Sequence, residues 1–521
     1  MNRGAASATL PRDDRQPADV CLIVEGCYPY VPGGVSAWID WLMRTQPQTS
    51  FSIVALWPRP MGLTPRYQLP PNVIGLEHLY LQDFGSRPTG REASAEQLHH
   101  LAVALSRLTT AGGVDALSEV TTLIGELRKD MRLEELFNSP SAWRVVLEMY
   151  GIEMPFGSFL HYFWAWRALL GGLFAVVEFP LPKAKLYHTI STGYAGLLAA
   201  RAALETGRPA LLTEHGIYTN ERRIELLMAD WVADTVDKGH ALDDPRFDLR
   251  DMWVRAFEAY ARTCYEGAAE VVTLYEDNQR LQRVLGAEPA KLRVIANGID
   301  IDKFGTVTPP PTDARPTMAL IGRVVPIKDV ETFITAAKIA AERVPGLRAL
   351  IMGPLDEDAD YVERCRALVD ELGLAGTIEM TGTVNVLDYL SQIHVVVLSS
   401  LSESQPLVVL EAGAAGIPFV ATNVGACREI IEGRAGEEPR LGAGGIVTDL
   451  VAPDQIAAAV VALLQDEERR RRMGETLRKR VRTYYTSAQA VDAYAGLYRR
   501  LIDMPGRGRV AATGEARVWR E

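Results

Sequence analysis

The sequence predicts two doubly wound α/β domains in one chain. Its 521 residues exceed what one hydrophobic core usually organises. Short apolar runs alternate with longer helical patterns, the rhythm of parallel α/β units. A proline-rich stretch over 304–316, with Pro309, Pro310, Pro311 and Pro316, breaks that rhythm and reads as an interdomain linker.

The elements follow in order. Residues 1–17 are polar and charged, with no apolar core of a signal peptide, and are expected to be flexible. An N-terminal Rossmann-like domain over 18–303 has strands expected at 20–24, 51–56, 73–81, 185–190, 210–213, 271–274 and 293–296. Between about 92 and 180 the pattern turns helical, an insertion in that domain. Its most hydrophobic part, 157–179, is interrupted by His161, Arg167 and Glu178. The charge-free run 168–177 falls short of the roughly twenty residues a bilayer needs, so it reads as a buried or partner-facing helix. A C-terminal Rossmann-like domain over 317–483 has strands expected at 318–321, 349–352, 377–380, 395–398, 419–421 and 445–447. The charge run 467–472 reads as a solvated helix face. A last helix, 484–503, is expected to cross back to the first domain, and the tail 504–521 to be flexible.

Hydrophobic content of 48% and charged content of 23% are those of a globular protein, which excludes disorder as the main character. The net charge of -11 argues against nucleic acid as a partner but leaves room for a local phosphate site. Five dispersed cysteines without a C-x-x-C spacing fit a reducing cytoplasm better than a disulfide framework or zinc site.

Four motifs carry chemistry. After the first strand comes Glu25-Gly-Cys-Tyr-Pro-Tyr-Val-Pro-Gly-Gly-Val-Ser36. Gly33 and Gly34 let backbone approach a ligand, and the following helix N-terminus suits a phosphate; an ordinary tight turn is the competing reading. After the first strand of the second domain comes Gly322-Arg-Val-Val-Pro-Ile-Lys-Asp329. Arg323 and Lys328 are placed to converge on a leaving group that gains negative charge, against the alternative of two solvated cations. Glu403-Ser-Gln-Pro-Leu-Val-Val-Leu-Glu411 sets two carboxylates about a helix start. Pro406 stands near the favoured first helical position, and Glu411, in an apolar run one turn in, suits a ribose diol. In Leu212-Thr-Glu-His-Gly-Ile-Tyr-Thr-Asn-Glu-Arg222, His215 and Tyr218 are expected to project from the sheet edge, with a structural histidine as the alternative. Asp356-Glu-Asp358 imitates a metal-binding acidic pair, but a helix start explains it better, and no metal is expected.

Together these residues resemble a glycosyltransferase of the GT-B fold, family 4. The two glutamates with seven residues between them match at Glu403 and Glu411, the G-R-x-x-x-x-K turn at Arg323 and Lys328, and the paired glycines at Gly33 and Gly34. Asn297-Gly-Ile-Asp300 matches the segment that ends the first domain. Tyr28–Trp38, Thr213–Arg222 and the helical insertion further resemble the PelF subgroup, cytosolic enzymes of Pel exopolysaccharide synthesis.

The resemblance implies two Rossmann-like domains facing across a cleft and a retaining transfer from a UDP-sugar, either UDP-glucose or a UDP-N-acetylhexosamine. The acceptor would be a growing polysaccharide, and the enzyme cytoplasmic, docked to an inner-membrane polysaccharide synthase complex. It implies no cofactor. Glu411 would hold ribose. Arg323, Lys328 and the amides after Glu403 would face the diphosphate beside Gly322, with Ser404, Gln405, Pro406 and Leu407 forming the donor-binding stretch and Gly33 and Gly34 closing on it. Glu403 and His215 would contact the donor sugar, and Thr383 and Val384 the base. Tyr218, Glu221 and Arg222 are acceptor-side candidates. Ser404 departs from the glycine common in the family, which puts donor identity in question. A nonhydrolysing UDP-sugar epimerase and a non-catalytic nucleotide-binding scaffold are the competing readings.

Overall fold

The computed structural model describes residues 16–60, 62, 64–82, 93–128, 139–155, 157–228, 249–308, 310–311 and 313–505. The expectations of flexibility for the first fifteen residues and for 506–521 lie outside these. The chain forms two compact units. Unit 1 holds residues up to 273, 279–293 and from 495 on; unit 2 holds 274–278 and 294–494.

Unit 1 is built on a seven-stranded sheet. Its strands are β1 (Ala18–Glu25), β2 (Phe51–Trp57), β3 (Val73–Tyr80), β4 (Ala184–Thr189), β5 (Ala210–Glu214), β6 (Glu270–Thr273) and β7 (Leu292–Val294). They are ordered β3-β2-β1-β4-β5-β6-β7, with β1 running parallel to both β2 and β4. Near-continuous apolar strands such as Val20–Val24 are buried on both faces, as parallel sheets covered by helices require.

The insertion between β3 and β4 is helical: Ala95–Thr110, Val114–Leu127, Pro140–Glu153 and Phe159–Glu178. Ser94 and Gln97 start the first of these with a reciprocal capping box. Gly112, at φ 72°, ends that hairpin where a Cβ would come within 2.1 Å of the Ala259 carbonyl oxygen. Only glycine lets this turn lie on the helix Leu249–Gly267. By length and composition Phe159–Glu178 passes for a membrane span, but Tyr162, Trp166, Leu169, Leu170, Leu173 and Phe174 are buried in the unit 1 core.

Unit 2 carries six strands: β8 (Thr317–Ile321), β9 (Arg348–Met352), β10 (Ile378–Gly382), β11 (Val395–Leu398), β12 (Phe419–Thr422) and β13 (Gly445–Thr448). Their order is β10-β9-β8-β11-β12-β13, and the pairs are parallel. Helices Val330–Ala341, Ala359–Glu371 and Pro453–Gln465 bury one set of side chains around Phe333, Ile351 and Val460. A second core gathers Phe304, Leu410, Phe419 and Val481.

After a brief visit at 274–278 the chain passes into unit 2 at 294, ahead of the proline-rich stretch expected to link the domains. Ile299 and Phe304 are buried in unit 2's core and Ile299 bridges Thr486, so this segment already belongs to the second unit. The last helix is Ser487–Ile502; from 495 it belongs to unit 1, where the Tyr498 hydroxyl bonds His188 Nδ1 at 2.7 Å.

Candidate functional site

In unit 2 the strand order reverses between β8 and β11, the switch point beyond whose carboxyl ends doubly wound sheets bind their ligands. Residues 322–329 follow β8 and 399–406 follow β11. Leu401 N donates to Ile327 O at 2.9 Å and Ser399 Oγ to Lys328 O at 3.0 Å, which stitches the two loops together. Lys328 Nζ then lies 2.5 Å from Glu403 Oε1, which also accepts from Ser400 Oγ at 2.7 Å. Their side chains keep 21% and 13% of their exposure. A Cβ on Gly322 would come to 3.8 Å of Lys328 Cε, so the glycine lies beside the lysine stem. Asp329 ends the turn Pro326–Lys328 and caps Val330–Ala341 by accepting from Thr332 N at 3.3 Å.

Arg323, expected to converge with Lys328 on a ligand, stands apart from this pair in the protein alone. Its guanidinium bonds Glu357 at 2.8 Å, and both side chains are exposed. The acidic stretch 356–358 is the reason: Glu357 supplies a nearby partner, while Asp358 caps the helix Ala359–Glu371 by accepting from Tyr361 N at 2.9 Å. Among the described residues, no group of three or more His, Cys, Asp or Glu is placed to hold a metal ion.

The second carboxylate motif is held from behind. Gly425, at φ 51°, sits where a Cβ would reach 2.1 Å from Ser404 O and 2.4 Å from Glu403 O, and Ala426 N donates to Ser404 O at 2.7 Å. Gln405 is buried and its Oε1 accepts from Asn297 N at 2.7 Å, which ties the Asn297–Asp300 segment to the loop. Ser404 Oγ, Gln405 Nε2 and Asn297 Oδ1 are buried without a hydrogen-bond partner. Pro406 occupies the cap of the helix Leu407–Ala414, one position ahead of its first turn; Leu407 is exposed and Glu411 is the fifth residue. Burial pushes the Glu411 carboxyl up from the usual carboxylate range, and the charge of Lys303 opposes it. Thr383 and Val384 follow β10; Thr383 is exposed and Val384 half-buried against the second core of this unit.

In unit 1 the order reverses between β1 and β4. Gly33 and Gly34 start the helix Gly34–Arg44 with no side-chain cap, and a Cβ on either would meet nothing within 4 Å. The turn therefore leaves its backbone open to the outside rather than needing glycine for its own fold. Beside it, a cavity of about 540 Å³ is walled by Glu25, His215, Tyr218, Arg222, Trp253 and Phe257; Glu221 lines it as well.

Glu25 Oε2 accepts from Ala195 N at 3.2 Å and Oε1 from the Tyr218 hydroxyl at 3.3 Å. Burial raises its pKa, opposed by that backbone bond and the charge of Arg222, whose guanidinium lies 4.9 Å from the Tyr218 ring centroid. His215 meets Trp38 edge to face at 4.6 Å; its Nε2 is buried without a hydrogen-bond partner. Burial pushes His215 down to about 4, so the ring is neutral near neutral pH. Preceding it, Glu214 is buried and accepts from the Tyr265 hydroxyl and Gln282 Nε2, each at 2.8 Å, with burial raising its pKa to about 7. Glu214 thus fixes the end of β5 that presents His215.

The structure gathers His215, Tyr218, Glu221 and Arg222 in unit 1 and Lys328, Glu403 and the 404–411 segment in unit 2. The individual parts played by Glu25, Trp253, Phe257 and Gly425 escaped sequence reasoning. Glu25 stood in a quoted motif as the end of a strand. Trp253 and Phe257 lie at i and i+4 on a helix, a spacing that reads as core.

Residues 18–290 match the family model described as a domain of unknown function, DUF3492, and residues 309–480 match glycosyl transferases group 1. D-inositol 3-phosphate glycosyltransferase of Kribbella flavida is 28% identical over 281 residues, covering 47% of this chain and 62% of that protein. The chain thus spans less than two thirds of that relative's length. Alpha-maltose-1-phosphate synthase of Mycolicibacterium smegmatis is 26% identical over 333 residues, 60% of this chain and 78% of that protein.

Among solved structures, sucrose-phosphate synthase from Thermosynechococcus elongatus superposes with a TM-score of 0.55 at 17% identity, covering 94% of this chain and 99% of that one. Anabaena HepE in complex with UDP also reaches 0.55, at 14% identity, covering 92% and 100%. At such identities the likeness speaks for fold: two Rossmann-like domains of the GT-B class, as the sequence predicts. Residues 309–480 carry the match to glycosyl transferases group 1, and by the match over more than half of its length the chain belongs to the DUF3492 family.

Proposed function

We propose that the protein is a retaining glycosyltransferase that moves a hexose or N-acetylhexosamine from a UDP-sugar to a growing, Pel-type exopolysaccharide. The observation that carries the reading is the Lys328–Glu403 pair at the switch point of the second sheet, with Glu411 one turn into the next helix. The nucleotide lies on unit 2, with Glu411 on the ribose and Thr383 and Val384 at the base. The bond from the sugar's anomeric carbon to the diphosphate breaks, and the electron pair leaves with UDP. Lys328 meets that growing charge in a part-buried setting where a fixed cation acts strongly. Arg323, in an exposed ion pair of small worth, can exchange Glu357 for the diphosphate at little cost. The acceptor hydroxyl attacks from the same face and its proton passes to a phosphate oxygen. No protein nucleophile and no metal is assigned. Glu403 contacts the donor sugar, and the acceptor lies on unit 1. The PelF-like opening and the name of a relative, D-inositol 3-phosphate glycosyltransferase, support the reading. We place the enzyme in the cytoplasm, beside a membrane synthase complex.

A thermal-shift panel of UDP-, GDP- and ADP-sugars tests the donor. A ligand that binds only the folded state raises its apparent stability. UDP-glucose or a UDP-N-acetylhexosamine gives the largest shift; equal shifts across nucleotides, or none, overturn the donor assignment.

A further inference from the structure

The unit 1 cavity has a chemistry of its own. At about 540 Å³ it falls in the roughly 300–1,000 Å³ range of small-molecule sites. Its charged lining, among the described residues, is two carboxylates, Glu25 and Glu221, against one guanidinium, Arg222. The helix Tyr194–Thr206 starts at the carboxyl edge of β4, the kind of amide cluster that collects phosphates. Here a side chain of the protein occupies it: Glu25 Oε2 accepts from Ala195 N at 3.2 Å. A phosphate would have to displace that carboxylate and sit beside a second one.

The remaining wall suits a sugar ring. Trp253 is half-buried and stacks on Phe257, centroids 5.7 Å apart at 29°, and Phe257 meets Tyr218 edge to face at 6.0 Å. Aromatic faces of this kind supply apolar area without demanding charge. His215 Nε2 is buried with no protein partner, an orphan that a hydroxyl can satisfy.

We propose that this cavity is the acceptor pocket and takes the uncharged pyranose end of a glycan, ring face on Trp253 and a hydroxyl on His215 Nε2, rather than a sugar phosphate. This rests on the transferase reading and separates the chain from relatives whose names include an inositol phosphate or a sugar phosphate. It moves His215 from the donor sugar, where the resemblance puts it, to the acceptor, and places acceptor selection in residues 25, 215 and 253.

The test is saturation-transfer NMR and calorimetry on the full-length protein with UDP present. The probes are maltotriose, chitotriose, glucose and glucose 6-phosphate. A neutral glycan binds, glucose 6-phosphate binds no more tightly than glucose, and Trp253→Ala weakens the glycan by about tenfold while UDP affinity stays unchanged. Trp253→Phe, which keeps an aromatic face, retains binding and shows that the alanine effect is not misfolding. Tighter binding of glucose 6-phosphate than of glucose overturns the proposal. So does a full set of silent neutral glycans while UDP binds, or a Trp253→Ala protein with unchanged glycan affinity. Failure of UDP itself to bind strikes the transferase reading instead.

Discussion

Replacing Lys328 by alanine removes the cation nearest the proposed leaving group and has two consequences that the structure scales separately. The first is on the resting protein. Lys328 Nζ sits 2.5 Å from Glu403 Oε1, and the pair keeps 21% and 13% exposure. Without the lysine, Glu403 retains the Ser400 hydrogen bond at 2.7 Å but loses its counter-charge. A polar group stranded in this way costs about 1–3 kcal/mol, towards the lower end here because water still reaches both side chains. In a domain of roughly 150–250 residues each kcal/mol shifts the melting temperature by about 2–4 °C, so a loss of several degrees is expected. The second consequence is on the reaction. Losing one preorganised donor to a developing oxyanion lowers kcat by about 10²–10³-fold, or ~2.7–4 kcal/mol. Initial rates of UDP release at saturating donor, with circular dichroism and a melt on the same sample, separate the two. A folded Lys328→Ala protein with near wild-type turnover refutes the role given to this lysine.

Three further outcomes follow from other parts of the molecule. Arg480 is fully buried, bonds Glu437 at 2.6 and 3.0 Å and donates to Ile431 O at 2.9 Å; Arg480→Met should cost about 3–5 kcal/mol in urea unfolding by stranding a buried carboxylate. Because Arg480 holds the Glu437 pKa below its ordinary value of 4.5, that difference is present above the carboxylate range and shrinks as pH falls through it. His188 is buried and neutral, its pKa pushed from 6.5 down to about 3, so it binds fewer protons folded than unfolded and its stabilising share is lost as pH falls below 6.5. The stability gap between wild type and His188→Gln should therefore narrow on acidification; a constant gap contradicts the burial argument. Gly425→Ala forces a Cβ to 2.1 Å from Ser404 O, so the Glu403 loop must shift, and turnover should drop by about a hundredfold in kinetic assays of a protein that still folds.

The strands were legible because each is a short apolar run that must be buried on both faces, and every expected strand has a counterpart in the two sheets. The two motif loops of unit 2 were legible for a local reason: Gly322–Asp329 and Glu403–Glu411 each follow one strand at the switch point, so motif and geometry coincide. What depends on distant partners was hidden. The pairing of Arg323 with Glu357 is set by a loop after another strand, and the closeness of Gly425 to Ser404 by a turn after β12. Proline content placed the linker at 304–316, but burial of Ile299 and Phe304 decides where the second unit begins. Trp253 joins the cavity of Glu25 and His215 only because its helix lies against that sheet edge, which a helical period does not announce.

The most direct test of the central claim is product analysis of the purified chain with its best UDP-sugar and a neutral oligosaccharide acceptor, with UDP and glycan masses read together. A glycosyltransferase releases UDP and lengthens the acceptor by one sugar for each UDP formed. An epimeric UDP-sugar without free UDP, or binding of the donor with neither product, contradicts the account.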